Sequence, residues 1–149
     1  MANITPPTQL LIAAGAFSPR LSASAVAAAI ARGIQAGGLP EPDLLPLSPA
    51  EEASEDVRAL LDALDFDARM RRARAVVIAA PRLAERTLAG SLTFEIATRA
   101  RQSGVPAYAV TAENRLDAFD ARILDLQLIL EARSARSLES AGHKLTAVV

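Results

Sequence analysis

A chain of 149 residues that is 51% hydrophobic and 22% charged is long enough to bury a core and too apolar to be disordered, while no apolar run approaches the ~18 residues a membrane helix needs. With no cysteine, thiol nucleophiles, disulfides and cysteine-ligated metal sites are excluded. A net charge of −1, dispersed basic residues and 3% aromatics argue against a nucleic-acid surface.

The apolar run Leu10, Leu11, Ile12, closed by Gly15, predicts a first strand over Gln9 to Ala14, buried on both faces of a parallel sheet. Ser22 or Ser24 can cap a helix whose apolar positions Val26, Ile30 and Ile34 recur every four residues, and Gly37 and Gly38 end it. Leu44 to Leu47 predicts a short second strand, placed toward an edge by Pro46. From about Ala50 to Met70 the stripe Val57, Leu60, Leu61, Leu64 predicts one helix, with Glu51, Glu52, Glu55 and Asp56 near its positive N-terminal end. Arg69, Arg71, Arg72 and Arg74 follow, with Asp65 and Asp67 beside them, as a solvated helix end.

Val76, Val77 and Ile78 mark a strand over Ala75 to Ala80 that Pro81 is expected to stop, with a loop from Arg82 to Gly90 after it. Leu92, Ile96 and Ala100 predict a helix closed by Ser103 and Gly104, before a strand over Ala107 to Thr111. A short helix at Ala118 to Arg122, a fifth strand at Leu124 to Leu130 and a final helix through Leu138, Ala141 and Leu145 complete the chain. The alternation predicts one α/β domain over 1–149, three-layered and doubly wound, with a mainly parallel five-stranded sheet of Rossmann or flavodoxin-like type.

In such sheets ligands bind beyond the carboxyl ends of the strands. There the chain offers Ala13 to Ala16, Ser48 and Pro49, Ala79 to Pro81, and Thr111 and Ala112, which are mostly small and apolar. Neither G-x-G-x-x-G nor G-x-x-x-x-G-K-[ST] occurs in the first loop. Lys144, the only lysine, lies five residues from the end and is poorly placed to serve a phosphate. His143, the only histidine, has no catalytic partner at helical spacing and is expected at the surface. No export segment opens the chain, so the cytoplasm is the expected location, with no membrane and no nucleic-acid partner.

Three segments resemble the type I glycerate kinases. LIAAGAFSPRLSA, Leu11 to Ala23, is similar to the family's IAPDSFKGSLSA, keeping Ile12, Ala13, Phe17, Leu21, Ser22 and Ala23. Gly15 and Ala16 stand in its Asp-Ser, and Ser18, Pro19 and Arg20 in its Lys-Gly-Ser. LPLSPAEEAS, Leu45 to Ser54, resembles LPLADGGEGT and keeps chiefly Glu52. FDARMRRARAVVIAAPRLAERTLAG, Phe66 to Gly90, resembles FDERLAGADLVITGEGRLDAQTLAGK without a gap, yet Ile78 to Pro81 replace Thr-Gly-Glu-Gly, Ala84 an Asp and Ser91 a Lys. GVPAYAV and LDAFDARILDLQLILE extend the likeness to Glu131.

The resemblance implies the family's α/β fold, an ATP-dependent phosphorylation of glycerate, and magnesium and ATP as cofactors. It also implies a middle region with a second domain, absent near residues 50 to 65, which would leave one wall of the family's cleft missing. With the catalytic polar groups replaced together, the resemblance implies a relative without kinase activity, acting as a binding, regulatory or assembly subunit. The alternatives are an active kinase completed by a partner chain and a small-molecule or nucleotide binder. Self-association or a partner protein is expected to cover the face a second domain would have occupied.

No catalytic residue, resident cofactor or metal site is singled out. The candidates for ligand binding are Arg82 as an anion ligand and Glu52 as a metal or acid–base group, although an ordinary loop charge, paired with the other, is the simpler reading of each. Arg20 with Ser22 could hold an anion at the first helix, where a cap alone also explains Ser22. Thr87 could donate to a ligand, as could Ser91 unless it caps the helix from Leu92. Asn114 and Arg115 belong to the most polar strand-end loop, Thr111 to Leu116.

Overall fold

The structure is a computed structural model that describes residues 7–84 and 91–149. Strands β1 (Leu10–Ala14), β2 (Asp43–Pro46), β3 (Ala75–Leu83), β4 (Ala107–Asn114) and β5 (Leu126–Glu131) form one sheet in the order β2-β1-β3-β4-β5, and every pairing is parallel. Helices α1 (Ala23–Ala36) and α7 (Ala135–Leu145) cover one face. The other face carries α3 (Val57–Ala63), α4 (Phe66–Arg71), α5 (Leu92–Gln102) and α6 (Ala118–Leu124), while the single turn α2 (Pro49–Glu52) follows β2 and buries no residue. This is the expected three-layer, doubly wound α/β architecture, with the flavodoxin-like strand order.

β1 is buried along its length because both neighbours and both helical layers cover it, which is why it reads as an unbroken apolar run. Its even and odd residues serve different cores: Leu10 and Ile12 pack toward α1, Leu11 and Ala13 toward α4 and α5. Ser22 caps α1 by accepting from Ala25 N–H at 3.2 Å, and Val26, Ile30 and Ile34 are fully buried.

α1 and α7 approach so closely that a methyl group at Gly33 would sit 1.8 Å from the Glu139 carbonyl oxygen and 2.7 Å from His143 N. A methyl at Gly142 would lie 2.2 Å from the Ile30 carbonyl oxygen. The two helices therefore meet backbone to backbone, through glycines contributed by each.

Five expectations need correction. The single helix over Ala50 to Met70 is three helices, because polar residues inside the stretch start new ones. Ser48 and Glu51 form a capping box around α2, with Pro49 at its first position, and Asp56 caps α3 through Ala59 N–H at 3.0 Å. Asp65 then turns the chain in a left-handed conformation, φ 56°, before α4. The stripe Val57, Leu60, Leu61 and Leu64 belongs to α3 and its C-cap alone, and it carries no sign of the breaks at Asp56 and Asp65 on either side.

β3 does not stop at Pro81 but runs to Leu83. β1 flanks it only as far as Ala79, so beyond that point a residue without an N–H meets no partner on that side. β4 likewise continues past Thr111 to Asn114, since Arg82 and Leu83 of β3 pair with Glu113 and Asn114. The expected loops at Arg82 and at Thr111 to Leu116 are thus partly strand. The fifth strand begins at Leu126, after α6 has extended to Leu124 and Asp125 has reversed the chain at φ 51°.

Arg69 also departs from a solvated helix end. Its guanidinium donates to Asp43 through Nε at 2.9 Å and Nη2 at 2.6 Å, and to the Leu44 carbonyl at 2.9 Å, tying α4 to edge strand β2. Arg99 performs the same task between α3, α4 and α5. Its side chain, 12% exposed, reaches Asp62 at 2.9 Å, Asp67 at 3.1 Å and Glu95 at 3.2 Å. Burial works against this charge, and the hydrogen bonds that Arg99 donates to Asp62, Glu95 and Asp67 outweigh it.

Candidate functional site

A 2-1-3-4-5 sheet reverses its winding between β1 and β3, and the crevice beyond their carboxyl ends is where such folds hold ligands. A cavity of about 310 Å³ lies there. Among the described residues its lining is apolar at Ala13, Leu47, Ile78, Leu92 and Ile96, and its polar lining groups are Glu52, Arg82, Ser91 and Thr93.

Each polar group is placed by local structure. Glu52 is the last residue of α2, which the Ser48 capping box starts directly after β2. Its carboxylate folds over the turn that leaves β1. There it accepts the Ala16 backbone N–H and fills the space beside Gly15, where an added methyl would lie 1.8 Å from Oε1. Gly15 is required here by that close approach. Ser91 caps α5, accepting from Phe94 N–H at 3.0 Å, so the N-terminal end of α5 borders the cavity.

Glu52 is half-buried among apolar atoms. Burial pushes its carboxyl above the usual glutamate value, partly opposed by the Ala16 hydrogen bond. A raised value means that folding favours the protonated form. Stability held below the unfolded carboxyl range is therefore lost as pH rises through the raised one. A Glu52→Gln variant, which keeps an acceptor for Ala16, should melt higher than the unaltered chain at about pH 7, and the gap should close at about pH 4. Thermal melts across that range check this; a difference independent of pH would refute it.

Arg82, at the end of β3, lines the same cavity but pairs with Glu113 of β4 at 3.7 Å, not with Glu52. Glu113 also pairs with Arg115, whose N–H donates to the Leu83 carbonyl at 2.7 Å. The strand ends β3 and β4 therefore carry a row Arg82, Glu113, Arg115. Asn114 closes its own turn by accepting from Leu116 N–H at 3.1 Å, and its N–H donates to Glu131 of β5 at 3.4 Å.

The remaining candidates are scattered. Ser22 acts as the cap of α1 and lines a separate cavity of about 270 Å³ beside Ser48 and Glu51. Arg20 is exposed in the preceding turn, where its N–H donates to Ser18 Oγ at 3.3 Å. Thr87 lies outside the described residues. Among the described residues, the switch point thus brings together Glu52, Arg82 and Ser91 of the sequence candidates. Sequence reasoning missed Thr93 as a lining group and Glu113 as the bridging carboxylate. The β3/β4 register that sets Glu113 beside Arg82 has no local sequence signal.

The donor set does not fit the magnesium nucleotide that the resemblance implies. Among the described residues no three His, Cys, Asp or Glu side chains converge as a metal site. Magnesium with phosphates needs oxygens in near-octahedral array and positive groups on the phosphates. Among the described residues the lining has one carboxylate, packed against Gly15, and one guanidinium, already beside Glu113.

The model of the glycerate kinase family matches residues 36–147 of this chain; the opening motif at 11–23 falls outside the match. No curated protein matches the chain. A solved structure of a Burkholderia pseudomallei K96243 protein described as pilus assembly-related is similar in fold, with a TM-score of 0.50 and 14% identity over 99% of this chain and 96% of that one. No helix among the described residues is long and apolar enough to cross a membrane.

Proposed function

The chain belongs to the glycerate kinase family, and from that premise we propose that it is a binding or assembly subunit that transfers no phosphoryl group itself. The observation that carries this reading is the Glu52 carboxylate folded against the turn after β1, where it fills the space beside Gly15. In a doubly wound fold the turn after β1 is where backbone N–H groups receive an incoming anion. Here the protein supplies its own anion to that turn, and a phosphate approaching Gly15 would meet a carboxylate. Alanines at 13, 14, 79 and 80 offer no side-chain donor in its place.

A coupled assay for ATP-dependent phosphorylation of glycerate tests this on the full chain and on an Arg82→Ala variant. The expected result is no turnover dependent on both substrates in either protein. Clear turnover that falls in the variant overturns the proposal.

The cavity favours a small-molecule ligand as the object of binding. Its walls are largely apolar, with the hydroxyls of Ser91 and Thr93 and the Arg82 guanidinium at the rim. That composition suits a compact, partly apolar molecule with one polar end. A ligand present at about a hundred times its dissociation constant adds roughly 2.7 kcal/mol to folding stability. A thermal-shift screen of glycerate, related acids and adenine nucleotides reads this directly.

A further inference from the structure

The two edges of the sheet are built differently. β2 is four residues long, ends on Pro46 and follows Pro40 and Pro42, features that discourage another strand from pairing with it. β5 has six residues with neither proline nor lysine. It pairs with β4, and no hydrogen bond to its outer backbone groups occurs among the described residues. Its Leu126, Leu128, Ile129 and Leu130 are only half-buried, where β1 is buried throughout. On α6, the helix leading into β5, Phe119 and Ile123 are one turn apart and 69% and 38% exposed.

We propose that two copies of this chain pair antiparallel along β5, centred on Ile129, joining their sheets edge to edge. The direction of the backbone groups selects that centre. Ala132 N–H donates inward to the Thr111 carbonyl at 2.8 Å, so by alternation the N–H and C=O of Ile129 and Glu131 face outward. A register shift between Ala107 and Ala109 lies before this stretch and leaves Ile129, Leu130 and Glu131 in regular register with β4.

Charge selects the same register and a second copy as the occupant. Centred on Ile129, the pairing sets Leu128 against Leu130, Gln127 against Glu131, and Asp125 toward Arg133 of the second copy, whose guanidinium donates through Nε to the Ala112 carbonyl at 2.9 Å and keeps its other N–H groups for a partner. Opposite charges then flank the apolar centre at both ends. Moving the centre to Leu128 would put Asp125 against Glu131, acid against acid. The edge is thus complementary to itself, as a two-fold interface requires.

Sedimentation equilibrium of the full chain over a wide concentration range tests the pairing. The unaltered chain should associate to a dimer. Ile129→Pro removes an outward N–H that β4 does not use, a change an edge strand tolerates, and should leave a folded monomer. Arg133→Glu should weaken association about tenfold by setting acid against Asp125. In the unaltered chain, the amides of Ile129 and Glu131 should exchange more slowly in concentrated than in dilute samples. A monomer at all concentrations, or an Ile129→Pro dimer as tight as the original, overturns the proposal. Should Ile129→Pro fail to fold, exchange at Ile129 and Glu131 that is independent of concentration overturns it equally.

Discussion

Replacing Gly33 with alanine is expected to destabilise the protein by about 3 kcal/mol, lowering the melting temperature by roughly 10 °C. Two effects of opposite sign compete. Alanine is the better helix former, by about 1 kcal/mol in a helix interior. Against this, the new methyl would lie 1.8 Å from the Glu139 carbonyl oxygen and 2.7 Å from His143 N, both backbone atoms of α7. Backbone cannot rotate away as a side chain can, so α7 must shift and its buried Leu138, Ala141 and Leu145 must repack.

Gly142→Ala should cost somewhat less, because its methyl meets one carbonyl at 2.2 Å, and Gly37→Ala least, because its nearest neighbour is the Thr146 side chain. Melts of the three variants check the ranking. A Gly33→Ala protein more stable than the original would mean that helix propensity, not the close crossing, governs this interface.

The second large effect is at Arg69. Arg69→Met should cost about 2 kcal/mol, because Asp43 and the Leu44 carbonyl lose charged donors in a half-buried setting while the methionine keeps most of the stem's packing. Asp43→Asn alone should cost less, since the amide oxygen still accepts one of the two bonds. In the double variant the losses should fall short of their sum by about 1 kcal/mol, which denaturant unfolding can measure. Additive losses would mean the pair contributes only as two independent surface charges.

Much of the fold was legible because it rests on local chemistry. The apolar run at Leu10 to Ile12, the Ser22 cap and the Ser103 and Gly104 stop each act within a few residues, and each element lies where those signals place it. The segment 49–71 was not legible. Val57, Leu60, Leu61 and Leu64 fit one helical stripe, while Asp56 and Asp65 interrupt the helix at points only the caps reveal. Pro81 misled for a complementary reason: whether a proline stops a strand depends on where the neighbouring strand ends, a tertiary fact. At the site, Glu52 and Arg82 were legible as polar residues near strand ends. The pairing of Arg82 with Glu113 rather than with Glu52, and the seat of Glu52 beside Gly15, depend on strand register and on α2 folding back over β1.

The crossing of α1 and α7 also bears on the order in which the chain can fold. α1 is made from residues 23–36, yet the helix that shields it comes from residues 135–145, and β1 meets β3 only through pairs such as Leu10 with Ala75. Contacts this distant in sequence carry a loop-closure cost before they are rewarded, which slows folding. During synthesis the N-terminal third cannot complete its own core. Its apolar helix must wait, exposed, until α7 has been made, so folding of this sheet is cooperative and late.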